Sequence, residues 1–124
     1  VPLEEAVSFD SNGILGPGIT HTPGTAEITV LDAGIYAIDF SASTTEPSQL
    51  ALFADGTVIP GAIYGSGAGT QQNAGQVIVA LPANSVITLR NHTSAAAVGF
   101  QAGAGGTQPS VNASIAIEKI AEAL

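Results

Sequence analysis

The chain has 124 residues, 45% of them apolar and only 10% charged, with a formal net charge of -8. That length fits a single domain over 1–124, and ten acids against Arg90 and Lys119 repel phosphate backbones and anionic membranes, which excludes nucleic acid and disfavours membrane partners. Cysteine, Met and Trp are absent, so no disulfide, thiolate nucleophile or cysteine metal site can form. No apolar run reaches the roughly 18 residues of a membrane-spanning helix.

The first expected strand is Glu4 to Phe9, ended by the turn signal Asp10-Ser11-Asn12-Gly13. Residues 14–24 carry Gly16-Pro17-Gly18 and Pro23-Gly24 and read as a loop over the domain. Thr25 to Leu31 is the next strand, and Asp32-Ala33-Gly34 turns the chain. Ile35 to Ala42 follows, with Tyr36, Ile38 and Phe40 on one face and Asp39 and Ser41 on the other, the period-two split of a half-buried strand. Gln49 to Ala54 runs into Asp55-Gly56, a tight-hairpin pair. Thr57 to Ile59 returns and should stop at Pro60-Gly61. Tyr64 to Gln72 reads as a loop or loose edge. Gln76 to Leu81 and Ser85 to Asn91 are strands around Pro82-Ala83-Asn84. Ser94 to Ala102 is a weaker strand, Gly103 to Pro109 a loop, and Val111 to Ile120 the last strand. Ile117, Ile120, Ala121 and Leu124 also fit a helical spacing, but the β-branched and small residues of 110–117 favour a strand. About nine short strands between turn signals predict an all-β sandwich, close to the eight of an antiparallel double-sheet jelly roll.

Chemistry is sparse. His21 lies in a loop segment and His92 at a strand end; neither sits in a nucleophile motif, and no Gly-x-Ser-x-Gly elbow occurs. Asp10, Asp32, Asp39 and Asp55 fall in or near turns, and Glu4 and Glu5 point to opposite faces of a strand. No catalytic residue, cofactor site or metal site is expected. A Ca²⁺ held where acids of several subunits converge is the one metal arrangement that composition leaves open. Asn91-His92-Thr93 and Asn112-Ala113-Ser114 match the glycosylation tripeptide, a frequent chance match in a chain rich in Ser and Thr. Arg90 is expected to pair with a carboxylate such as Glu118 or Asp39. A soluble domain normally carries about a quarter charged residues. The low charge here therefore predicts that part of the exterior is buried against other subunits.

Several segments resemble a known family. Ala33-Gly34-Ile35-Tyr36-Ala37-Ile38-Asp39-Phe40 is similar to the Gly-x-Tyr strand of tumour-necrosis-factor-like and complement-head jelly rolls. Leu52 to Gly61 is similar to their next hairpin. Ala113-Ser114-Ile115-Ala116-Ile117-Glu118-Lys119-Ile120-Ala121 resembles the final strand of one branch, the C-terminal domain of the Bacillus collagen-like spore-surface glycoprotein (BclA) family. The resemblance spans Glu4 to Ala121 and implies a TNF-like homotrimer that caps an upstream collagen-like stalk on the exosporium, the outer layer of a spore, with no catalytic residues. Tyr36, Ile38, Phe40, Ile115 and Ile117 are the expected core or trimer-interface residues. The chain begins at Val1 without Met or signal peptide and is expected to be the head of a longer polypeptide. The alternative is an adhesion module that binds a host receptor or glycan through loops 61–75 and 102–110, with Tyr64 its one candidate aromatic. An enzyme would need a pocket joining His21 or His92 to a convergent acid.

Overall fold

Eight β-strands and no helix make up the described residues, 1–68, 72–94, 97–101 and 112–124, of a computed structural model. In chain order they are β1 (Ile19–Thr20), β2 (Ile28–Val30), β3 (Gly34–Ser43), β4 (Ser48–Ala54), β5 (Thr57–Ser66), β6 (Gln72–Leu81), β7 (Ser85–Asn91) and β8 (Ala113–Glu122). They form two antiparallel sheets, one ordered β1-β2-β7-β4-β5 and one ordered β6-β3-β8. This is an all-β sandwich of the jelly-roll kind, packed face to face.

Local chemistry sets the strands that matched expectation. β3 alternates buried and less buried residues along its length because Tyr36, Ile38, Phe40 and Ala42 face the opposite sheet. Asp55 and Gly56 both take positive φ, 51° and 81°, the backbone of the tight hairpin between β4 and β5. The turn before β7 similarly places Asn84 at φ 62°. The core joins these side chains to Leu50 and Leu52 of β4, Ile87 and Leu89 of β7, and Ile28 and Val30 of β2, all buried. The Tyr36 hydroxyl, carried into that core, donates to Asp32 O at 2.7 Å, so its polar end stays satisfied.

Other expectations are corrected by pairing. Glu4 to Phe9 is no strand: it makes only two isolated bridges, Ala6 to Arg90 and Phe9 to Thr25. β2 already occupies the Ser85–Ile87 part of the β7 edge, so the amino-terminal segment reaches only the remaining end of β7. The 14–24 loop contains β1, and the Thr25–Leu31 strand shortens to Ile28–Val30. β5 does not stop at Pro60-Gly61 but continues to Ser66, with a register shift opposite Ala51 and Phe53. It tolerates Pro60 because β5 ends its sheet, where a missing N–H breaks no ladder. β6 begins at Gln72, so the expected 64–72 loop is strand at its two ends, over 64–66 and at Gln72, while 69–71 lie outside the described residues. Asp39 lies in mid-β3 facing solvent, away from any turn. β8 runs to Glu122 with no helical turn. The described residues of 94–102 make one bridge, Phe100 to Thr44. The expected 103–109 loop lies outside the described residues.

One contact closes the sandwich where β5 meets β6. Tyr64 lies across Gly75, so closely that a Cβ there would sit 2.2 Å from the ring. The ring meets Phe40 edge-on at 5.9 Å, and the hydroxyl donates to Gln76 O at 2.8 Å. A strand glycine that offers its bare backbone to an aromatic ring recovers packing that it cannot supply itself.

Candidate functional site

The surface that stands out is the outer face of the three-stranded sheet. Its cross-strand rows read Ala80–Ile35–Ala121, Ile78–Ala37–Glu118, Gln76–Asp39–Ala116 and Ala74–Ser41–Ser114. Small side chains dominate, so the face is flat enough for another surface to approach closely. Ile78 is 67% exposed at its middle, and Asp39 and Glu118 are the only carboxylates in those rows. An antiparallel sheet with one face in water normally alternates apolar and polar residues. β6 instead reads Val77-Ile78-Val79-Ala80, apolar on both faces. Chemically such a face can bury area against a partner.

The expected site residues lie on the opposite side of this sheet. Tyr36, Ile38 and Phe40 point inward and are buried in the core. Ile115 and Ile117 pair with Phe40 and Ile38, share that inward face, and are partly buried against the core. Both also line a groove of about 450 Å³ between β8 and residues 9–16, whose Ile14 is fully solvent-exposed. The outward face of the sheet carries the residues of opposite parity, among them Ile35, Ala37, Ile78 and Ala116, which the sequence reading did not single out. Their signal was present in the sequence as apolar character on both parities of one strand.

The ionisable groups serve to tie segments together. Glu4 Oε1 accepts from His92 Nδ1 at 2.7 Å, and its Oε2 accepts the Thr93 amide at 3.0 Å. The amide hydrogen bond first, then the histidine, hold the Glu4 carboxyl below its ordinary range. With Glu4 N donating to Asn91 O at 2.7 Å, these bonds clamp the amino-terminal segment to the end of β7. His92 packs edge-on against Phe53 at 5.2 Å. Thr93 Oγ1 lies 2.5 Å from Gln49 Oε1 and 2.6 Å from His92 O, so it is engaged away from the imidazole. His21 is bonded to Asn12 and Thr25, with no acid among its partners. Among the described residues neither histidine is brought into a triad. Lys119 donates to Glu122 at 3.1 Å, and this raises its pKa.

Arg90 does not meet Glu118 or Asp39. Its guanidinium lies 4.5 Å over the Phe53 ring, and its Nε donates to Thr88 Oγ1 at 3.2 Å. Arg90 and Phe53 sit in neighbouring rows of adjacent strands, and a weakly hydrated guanidinium covers an aromatic face well. Asn91 of the first glycosylation tripeptide is fully buried, with Nδ2 donating to Val1 O at 2.8 Å, so its side chain is closed to sugar attachment. Of the 61–75 loop surface, 61–66 and 72–75 are strand, and the Tyr64 hydroxyl is engaged. Residues 102–110 lie outside the described residues. Among the described residues no group of three His, Asp or Glu side chains could hold a metal ion. No helix there is long and apolar enough to cross a membrane.

Compared with known proteins, residues 1–121 match the family model described as the BclA C-terminal domain. No curated protein matches the chain significantly.

Proposed function

The chain belongs to the BclA C-terminal domain family, and from that premise we propose that it is a structural head that forms a homotrimer through the outer face of β6-β3-β8. The head caps an upstream collagen-like stalk on the spore surface, the exosporium, and nucleates its assembly. Three collagen chains must meet in register, which is slow; a globular trimer holds their ends together and makes the later step intramolecular. The observation that carries this reading is the sheet face on which Ile78 stands 67% exposed among alanines with two carboxylates. Burying it would contribute roughly 25 cal/mol per Å² of apolar surface. It would also account for a surface so poor in charge. Of the loop surface that an adhesion module would use, 61–66 and 72–75 are strand and 102–110 lie outside the described residues. A catalytic role finds no support in the engaged histidines.

The test is the mass in solution, by light scattering during size exclusion across a range of concentrations. A mass of three chains is expected for the wild type, and of one chain for Ala37→Glu, with unchanged far-UV circular dichroism. Ala37 lies on the central strand beside Ile78 and Glu118, so a carboxylate there would be buried among apolar and like-charged groups. A wild type that stays monomeric, or a variant that stays trimeric, would refute the proposed interface.

A further inference from the structure

Residues 9–25 form a closed loop with its own cross-brace. Its base is the Phe9–Thr25 bridge, in which Phe9 N donates to Thr25 O at 3.1 Å and Gly24 N donates to Phe9 O at 2.8 Å. Within it, Asn12 and His21 face each other. Asn12 Nδ2 donates to His21 O at 2.8 Å, and His21 Nδ1 lies 2.5 Å from Asn12 Oδ1. The second ring nitrogen, Nε2, lies 2.8 Å from Thr25 O. Each imidazole nitrogen thus faces an oxygen acceptor, so both bonds are complete when the ring donates from both nitrogens.

Asn12 is followed by Gly13, the one Asn-Gly pair in the sequence. Both residues are exposed, they lie outside any strand, and nothing stands within 4 Å of where a Gly13 Cβ would be. A glycine after Asn places no side chain of its own beside the amide nitrogen that would reach the Asn12 side-chain carbonyl. We propose that Asn12-Gly13 is a self-modifying site, at which His21 promotes conversion of the Asn12 amide to an aspartyl or isoaspartyl residue.

In the first step the Gly13 nitrogen gives its proton to water and attacks Asn12 Cγ. The new N–Cγ bond closes a five-membered imide, the Cγ–Nδ2 bond breaks, and Nδ2 takes a proton and leaves as ammonia. In the second step water opens the imide. Cleavage of N–Cγ yields aspartate; cleavage at the backbone carbonyl yields isoaspartate. During the attack, negative charge builds on Oδ1, the atom that His21 Nδ1 already meets. A preplaced donor at a developing oxyanion lowers the barrier. The contrast within the same chain is Asp55-Gly56, whose carboxylate accepts the Val86 amide at 2.9 Å and whose turn is pinned between two long strands. The aspartyl product would present its carboxylate to the His21 ring. The isoaspartyl product would lengthen the backbone of the segment that walls the β8 groove.

Peptide mapping by mass spectrometry, with separation of isoaspartyl forms, tests this on the protein incubated at neutral pH. Folded wild type is expected to convert at residue 12 about tenfold faster than the same chain unfolded in urea, the scale of one hydrogen bond to a charged atom. His21→Ala should lower the folded rate to that of the unfolded chain, and residue 55 should stay aspartyl in the folded protein. Folded wild type that converts no faster than the unfolded chain would overturn the proposal, and that comparison requires no variant. So would a His21→Ala protein that converts as fast as wild type or faster, since the imidazole would then be a restraint and not a promoter.

Discussion

Replacing Gly75 by Ala should destabilise the protein only while Tyr64 is present. The added Cβ would stand 2.2, 2.5 and 2.6 Å from the Tyr64 ring atoms Cδ2, Cε2 and Cγ, well inside contact distance. The ring must then swing off the strand. That gives up the hydroxyl bond to Gln76 O and the edge contact with Phe40. Overpacking of this kind costs about 1–3 kcal/mol. The lost hydrogen bond and aromatic contact lie within that range, at about 1 kcal/mol each. Against it stands a gain of about 0.5–1 kcal/mol for removing a glycine from a strand. The net expectation is a loss of about 1–1.5 kcal/mol for Gly75→Ala alone. In a Tyr64→Ala background the same change should be neutral or stabilising by about 0.5 kcal/mol, because only the backbone term remains. Urea unfolding followed by far-UV circular dichroism, at one fixed protomer concentration, closes the double-mutant cycle. Equal cost in the two backgrounds would show that the ring does not close this edge and would refute the reasoning.

Two further outcomes follow from the core and the clamp. Ile38→Ala removes a fully buried side chain at the centre of β3 and should cost about 2–5 kcal/mol in the same assay; a loss below about 1 kcal/mol would mean that the core collapses onto the cavity. The Glu4 carboxyl is held below its ordinary value of 4.5, so its contribution is complete above that pH and is lost as pH falls through the depressed folded-state value. Acid unfolding curves of wild type and Glu4→Gln should therefore differ at neutral pH and converge in acid; a constant offset across the range would argue against the clamp.

How much was legible beforehand depended on the reach of each signal. Ser85–Asn91 was read at its observed bounds, since turn residues before it and apolar residues within it are all local. The Asp55-Gly56 turn likewise needs two residues to declare itself. Pro60-Gly61 misled because a proline ends a strand only where its missing N–H is needed, and being at an edge is a property of the sheet. Glu4 to Phe9 misled for a related reason, its would-be partner edge being shared with β2.

The inward face of β3 was readable as Tyr36, Ile38 and Phe40, and the all-β class from the turn spacing. The opposite face was also written in the sequence, in the apolar run of β6, but a run with no alternation does not say what covers its second side. Arg90 shows the limit most directly. Sequence identifies a scarce cation and predicts a carboxylate, whereas tertiary structure lays it on Phe53, from a strand 37 positions away. Glu4 and His92, 88 positions apart, meet in the same way. The strands at Gly34–Ser43 and Ser85–Asn91 follow from neighbours a few residues away, so the sequence alone determined them and which face of β3 goes inward. Which strands become edges, which charges meet and which sheet face stays open depend on pairings across the whole chain, and only the tertiary structure decided them.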